Sequence, residues 1–300
     1  MNPLEPLEQA ILYTIGYGDI FQYPMTVNEI HRYLIGMKST QEDVEEALHL
    51  PNRLGRWIAQ SGPFYLLPGR DEFVNVRRQR EQESARLWPK ALAYGRMIAR
   101  VPFVRMVAVT GSLAMNNVNP GGDLDYMIVT RQERLWLARS LVIVLVRLAA
   151  RAGDRICPNY FLSEQTLALQ DQNIFSAHEL VQMAPLSGTR VYAAIRQANL
   201  WADEYLPNAG GAPDGKDKIA FEEKQPWIQS FGESLLQNRT AGLLERWEMQ
   251  RKLHKFNTLA ANHQEACFGP DWCKGHVDDH GSRIMDAYTN RLQTIHKEYA

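Results

Sequence analysis

The stretch "GGDLDYMIVT", residues 121–130, sets two aspartates, Asp123 and Asp125, one residue apart at the head of an apolar, β-branched run. Alternate residues of a strand share a face, so both carboxylates would project together from its beginning. Two anions that close repel, and a stable fold must place a proton or a cation between them. Carboxylate oxygens suit magnesium, which keeps water in its shell and binds nucleotide phosphates readily. The pair predicts a strand that opens on a charged, ligand-facing edge.

A second strand is expected just upstream in "VPFVRMVAVT", followed by Gly111, Ser112 and a short helix-like piece "SLAMNN". A glycine there lets the backbone approach a ligand, and the start of a helix offers unpaired N–H groups to an anion. Phosphate on one side and metal carboxylates on the other would define a nucleotide site. The plainer alternative is that "NPGGD" is a loop whose aspartates are solvated turn residues, since Asp and Gly are ordinary turn formers. A turn, however, needs neither a Gly-Ser after the preceding strand nor a second aspartate inside the next one.

This arrangement resembles the DNA polymerase β-type nucleotidyltransferase superfamily. The matching elements are Thr110-Gly111-Ser112, the ten residues from Leu113 to Gly122, and Asp123-Leu124-Asp125. The resemblance implies transfer of a nucleoside monophosphate from a nucleoside triphosphate, ATP or another, to an acceptor, with pyrophosphate leaving. Asp123 and Asp125 would hold two magnesium ions, and Gly111 and Ser112 would contact the β- and γ-phosphates. Such sites work by positioning and charge neutralisation. Active members of the superfamily usually carry a third carboxylate on a later strand, here "RICPNYFLS", which contains no acid. Asn159 is the expected occupant, facing the same way as Cys157 and Phe161, and it can offer a carbonyl oxygen but cannot take a proton. Asp154 and Glu164 flank the strand as weaker candidates. A fold that binds nucleotide without turnover, as a sensor or partner-docking module, therefore stands as the alternative.

The flanking segments are expected to make an α+β chain of three parts: a winged-helix-like module over 1–76, a nucleotidyltransferase core over 77–165, and a helical region over 166–300 in which no strand is evident. In the first part, Thr26 with Glu29 and Ser39 with Glu42 have capping-box spacing, and "RWIAQSGPFYLLPG" reads as a hairpin. Three helices before a hairpin suggest DNA, but the third, "TQEDVEEALHL", carries Glu42, Asp43, Glu45 and Glu46 and no Lys or Arg, so it would repel a duplex. Residues 1–72 hold five basic and ten acidic groups and residues 73–100 seven and two, a swing that marks a boundary. Arg77, Arg78 and Arg80 in that basic stretch could reach a triphosphate or could be a solvated helix face. A helix is expected from Gln82 to Arg100, and a buried one around "LVIVLV" (141–146).

Further along, Cys267, Cys273, His276 and His280 form a ligand set of the kind zinc accepts, with His263 as a fifth candidate and Asp278 and Asp279 as competing partners. Trp201 and Tyr205 beside Asn199 could face a base, or be core. With an overall charge of −1 across 300 residues and one local basic stretch, the acceptor is expected to be a small molecule or a protein hydroxyl and not nucleic acid, and no membrane partner is expected from the lengths of the apolar stretches. The longest apolar stretch falls far short of the roughly 20 residues that span a bilayer. Three cysteines, an odd count, fit reduced thiols, and with no export pattern at the N-terminus a cytoplasmic protein is expected.

Overall fold

The computed structural model describes residues 4–49, 53–213, 227–260, 268–274 and 280–299. The chain is a mixed α+β protein built on one five-stranded mixed sheet. Three helices lead, α1 (Pro6–Ile20), α2 (Val27–Arg32) and α3 (Gln41–His49), followed by the hairpin β1 (Ala59–Ser61) and β2 (Phe64–Leu66). The Thr26/Glu29 capping box at α2 is present. At α3 the reciprocal pair is instead Thr40 with Asp43, one residue beyond the expected Ser39/Glu42. Asp43 N donates to Thr40 Oγ1 and Thr40 N to Asp43 Oδ2, because the shorter acid reaches the backbone from that position. The acidic side of α3 is exposed.

Helix α4 (Glu72–Ala99) starts ten residues before the expected Gln82, and the sheet follows. It comprises β3 (Val104–Val109), β4 (Leu124–Thr130), β5 (Ile156–Ser163), β6 (Ala184–Ser187) and β7 (Trp272–Lys274), in the order β6-β3-β4-β5-β7. Strand β3 is antiparallel to β4 and β6, and β5 is parallel to β4 and antiparallel to β7. The parallel pair is joined through α6 (Leu135–Arg151), and the short α5 (Gly111–Ala114) links β3 to β4. The region expected to be all helical thus contributes two strands, β6 and β7. They span four and three residues, too short for an alternation to show, and β6 carries Pro185 at an edge, where a missing N–H is tolerated.

Alternation along the strands splits the core in two. Val107, Val109, Tyr126, Ile128 and Phe161 face α4 and α6. Met106, Ala108, Met127, Val129 and Leu162 face α7 (Ile174–Gln182), α8 (Thr189–Ala198) and, continuous with them, the leading helices around Ile11, Ile15 and Ile30. The N-terminal helices therefore share a core with one face of the sheet. Residues 202–205 form α9, after which come α10 (Trp227–Leu235), α11 (Arg239–Ala260) and α12 (His280–Tyr299). Helix α12 returns to α1: Ile295 Cδ1 lies 3.1 Å from where a Cβ on Gly16 would sit, Tyr288 meets the Tyr17 ring edge-on, and Arg291 Nη2 pairs with buried Asp19 at 2.8 Å.

The apolar run of α6 is only half covered. Val142 is buried, whereas Val144 and Leu148 are about half exposed, so the expectation of a fully buried helix does not hold: α11 packs on one side and leaves the other bare. Among the described residues no helix is long and apolar enough to cross a membrane.

Candidate functional site

Antiparallel pairing of β3 with β4 brings the end of the first to the start of the second. Thr110 N donates to Asp125 O at 3.0 Å, and Gly111 lands directly over the Asp125 side chain. A Cβ on Gly111 would stand 2.5 Å from Asp125 Oδ2, and its φ of +63° is one that other residues adopt only under strain. Glycine is thus required twice, by conformation and by space. Ser112 is exposed beside it.

Asp125 faces Cys157 across the parallel ladder, and the register then slips: Met127 pairs with Tyr160, so β5 spends an extra residue over 158–159. Pro158 has no N–H to give the ladder, and a bulge is where a strand accommodates that. The bulge turns Asn159 toward Asp125, whose Oδ1 accepts from Asn159 Nδ2 at 2.7 Å, while Asn159 Oδ1 accepts from the Cys157 thiol. Two sequence expectations are corrected here. Asn159 shares its side with Cys157 but not with Phe161, which sits in the opposite core layer beyond the bulge. And Asn159 presents its amide N–H₂ to the carboxylate, because an acid rich in lone pairs is better met by a donor than by a carbonyl.

Asp123, just before β4, has Oδ1 2.7 Å from Arg155 Nε in a half-exposed ion pair. It lies near enough to Asp125 for its charge to act there. Burial, chiefly, and then the Asp123 charge push the Asp125 carboxyl up to about 7, against the opposing hydrogen bond from Asn159. The Cys157 thiol is pushed up to about 11 by burial and by the same two aspartates. Asp154 and Glu164 belong elsewhere. Asp154 holds Lys90 and the Tyr94 hydroxyl, and Glu164 accepts from Gln132 N.

Two residues that no motif flagged complete the electrostatics. Glu179 of α7 is pushed up to about 7 by burial and by the Asp125 charge, with Lys274 of β7 opposing. Both line a small cavity of about 70 Å³ together with Thr110 and Asn159. Glu179 also lines a larger one of about 470 Å³, which reaches Gly111 and Ser112 and is walled by α1, α7 and the start of α12, with Tyr17, Phe21 and Phe175 among its rings. His178, stacked on Tyr17 at 4.1 Å, is held neutral by burial, its pKa lowered to about 3.

The three arginines separate. Arg77 is buried and structural, bonded to Glu29 and Glu81 and stacked over Tyr23 and Phe64. Arg78 is exposed. Arg80 lines the large cavity and donates to neutral oxygens, Asn119 Oδ1, Asn117 Oδ1, Gln22 Oε1 and Phe21 O. Asn199, almost fully buried, donates to Leu167 O and Ile195 O and accepts from Trp201 Nε1, so this trio is a structural knot. Of the zinc candidates, Cys267, His276 and His263, with Asp278 and Asp279, lie outside the described residues. Cys273 is buried in β7 and His280 stacks edge-on against Phe175. Among the described residues no group of three or more His, Cys, Asp or Glu side chains is arranged to hold a metal ion. A pair of carboxylates is still sufficient for a magnesium ion that arrives on a triphosphate, since such ions take one or two carboxylates and fill the remaining positions with phosphate and water. No family model, no curated protein and no solved structure matches the chain.

Proposed function

We propose that the chain is a magnesium-dependent nucleotidyltransferase that moves a nucleoside monophosphate from a nucleoside triphosphate to a small-molecule or protein hydroxyl, releasing pyrophosphate. The observation that carries this reading is the contact of Gly111 with Asp125: a bare backbone at the end of one strand, packed on a carboxylate at the start of its neighbour, with Asp123 beside it. Residues that merely made a turn would not need that contact.

In this reading Asp123 and Asp125 receive the metal, the absence of a side chain at Gly111 lets the backbone lie against Asp125, and Gly111, Ser112 and Arg80 would meet the phosphate oxygens. The magnesium ion would supply charge neutralisation on the triphosphate and at the attacked phosphorus. Asn159 keeps Asp125 oriented through its N–H. Glu179, which lines the cavities beside Asn159 and Gly111 and is pushed up to about 7 by burial and by the Asp125 charge, would take the proton that the acceptor hydroxyl loses as its oxygen bonds to the α-phosphorus and pyrophosphate departs. That assigns the role expected of a strand carboxylate to a helix residue.

One feature favours the second reading, a nucleotide sensor or docking module without turnover. Asn159 already satisfies an oxygen of Asp125 and the Arg155 charge stands beside Asp123, as they would in a site that has lost its metal chemistry. Incubation with each labelled nucleoside triphosphate, magnesium and cell extract separates the two, with Asp123→Ala/Asp125→Ala as control. Pyrophosphate release and a labelled acceptor in the wild type alone are expected. Saturable binding without either supports the sensor, and the absence of both binding and release ends both readings.

A further inference from the structure

Helix α10 is built inside out, and α11 is so in part. In α10 the residues turned inward are Gln229 and Glu233, whereas Trp227 is 76% exposed and Phe231 60%, with Ile228 and Leu235 bare beside them. In α11 Glu245 and Glu248 turn inward together with Ala241, Met249 and Leu253, while Leu243, Leu244 and Trp247 lie open, Trp247 at 58%. An ordinary surface helix does the reverse.

The inward polar groups have definite partners. Gln229 Nε2 donates to Val101 O and Val104 O, and Glu233 accepts from Phe103 N at 2.9 Å and from Arg105 Nη1 at 2.7 Å. Gly232 lets α10 press close, since a Cβ there would lie 2.6 Å from Pro102 Cγ. Glu245 accepts from Trp136 N and Leu137 N, at 2.8 and 2.7 Å, satisfying orphan donors in the first turn of α6. Glu248 pairs with Arg251 one turn further along α11 itself. The contacts of Gln229, Glu233 and Glu245 with other segments fix which side of each helix faces out, so the exposed rings are the consequence of a specific packing.

None of the exposed described residues of α6, α10 and α11 is acidic; the one carboxylate lining the groove between α6 and α11 is Glu248, which pairs with Arg251. Helix α6 contains no acidic residue, and the only acids of α10 and α11 are Glu233, Glu245 and Glu248, all buried. What remains outside is cationic: Arg147, Arg151, Arg246 and Arg251 are exposed. Arg147 and Arg251 line one groove of about 210 Å³ with Leu244 and Trp247, where α6 meets α11. Helix α6 adds the half-exposed Val144 and Leu148.

We propose that this face, formed by α10, α11 and the outer side of α6, rests on an anionic phospholipid surface, with the rings and aliphatic chains entering the headgroup layer and the arginines meeting lipid phosphates. The chemistry selects this occupant. Tryptophan, phenylalanine and leucine alongside arginine is the composition of helices that lie in a membrane interface. A second copy meeting it face to face would bring Arg147, Arg151 and Arg246 against their own counterparts, with the one carboxylate of the groove, Glu248, already held by Arg251. Single-stranded nucleic acid would use the rings but leave Ile228, Leu235, Leu243, Leu244 and Val144 without purpose, because bases stack on aromatic faces. The expectation of no membrane partner rested on the length of apolar stretches, which bears on crossing a bilayer and not on resting against one. The proposal does not depend on the nucleotidyltransferase reading.

The test is co-sedimentation of the full chain with vesicles of phosphatidylcholine alone and of phosphatidylcholine mixed with phosphatidylglycerol. Binding to the mixed vesicles only is expected, with a blue shift in tryptophan emission. Phe231→Ser/Trp247→Ser should weaken it at least roughly tenfold, and Arg147→Gln and Arg246→Gln roughly fivefold each, with thermal melts unchanged since all four side chains are exposed. No vesicle binding, or binding that ignores phosphatidylglycerol, overturns the proposal. So does self-association by light scattering, or retention of oligouridylate, that requires Phe231 and Trp247 while vesicles are ignored.

Discussion

Replacing Asp125 by asparagine should make the protein more stable, and increasingly so as the pH rises. The substitution keeps an oxygen that accepts from Asn159 Nδ2 and removes the ability to ionise. In the native chain burial pushes this carboxyl up to about 7, against an ordinary 3.8 in the unfolded chain. Between those values the folded state holds a proton that the unfolded state has lost, so stability falls with rising pH through that window and the full penalty is present above about pH 7. At roughly 1.4 kcal/mol per pH unit the penalty is about 1.5 kcal/mol near pH 5 and about 4 near pH 8. Asparagine carries no such penalty at either pH. Any loss intrinsic to the substitution is the same at both, which leaves a gain of about 2.5 kcal/mol on moving from pH 5 to pH 8. Glu179, held up partly by the Asp125 charge, relaxes in the same direction. Urea denaturation of both proteins at the two pH values measures it. A difference between mutant and wild type that stays flat, or shrinks as pH rises, refutes the reasoning that the fold buries this carboxylate against its own stability.

Gly111→Ala should lose about 1–3 kcal/mol, from the left-handed backbone together with the displacement of Asp125, and should abolish nucleotide-dependent pyrophosphate release. Denaturation and a release assay read these separately, and an alanine variant silent in both contradicts the close packing described for this pair. Arg77→Met should cost about 3–5 kcal/mol at pH 7, because it leaves Glu29 charged and largely enclosed without its guanidinium. The double variant with Glu29→Gln should recover much of that loss in a thermal melt; strictly additive losses would show that the two do not act as a pair.

The pieces legible in the sequence were those whose signal is local. The β-branched runs of β3, β4 and β5 announce strands, Thr26 and Glu29 stand at the spacing of a reciprocal cap, and Gly111 and Asp125 fall at the ends of adjacent strands where antiparallel pairing must bring them together. The bulge at Pro158 was readable in principle, since proline in a ladder demands one, and it would have corrected the facing of Phe161. Glu179 and Lys274 were not readable. Each sits in an ordinary segment and acquires its role only when α7 and β7 are laid beside Asn159 by the sheet order. Helices α10 and α11 mislead for a related reason. An apolar stripe at helical spacing signals a core face until the partners of Gln229, Glu233 and Glu245, backbone groups in remote segments, show which way the helix turns.

The return of α12 to α1 has a bearing on biosynthesis. The chamber beside Gly111 borrows its last wall from residues near position 284, whereas its first wall is made near position 17. A ribosome therefore exposes Tyr17 and the Asp19 carboxylate long before Tyr288 and Arg291 emerge to cover them. Until translation has passed that point the chamber stays open on one side, and a chain clipped ahead of α12 would keep its aspartate pair but lose that wall.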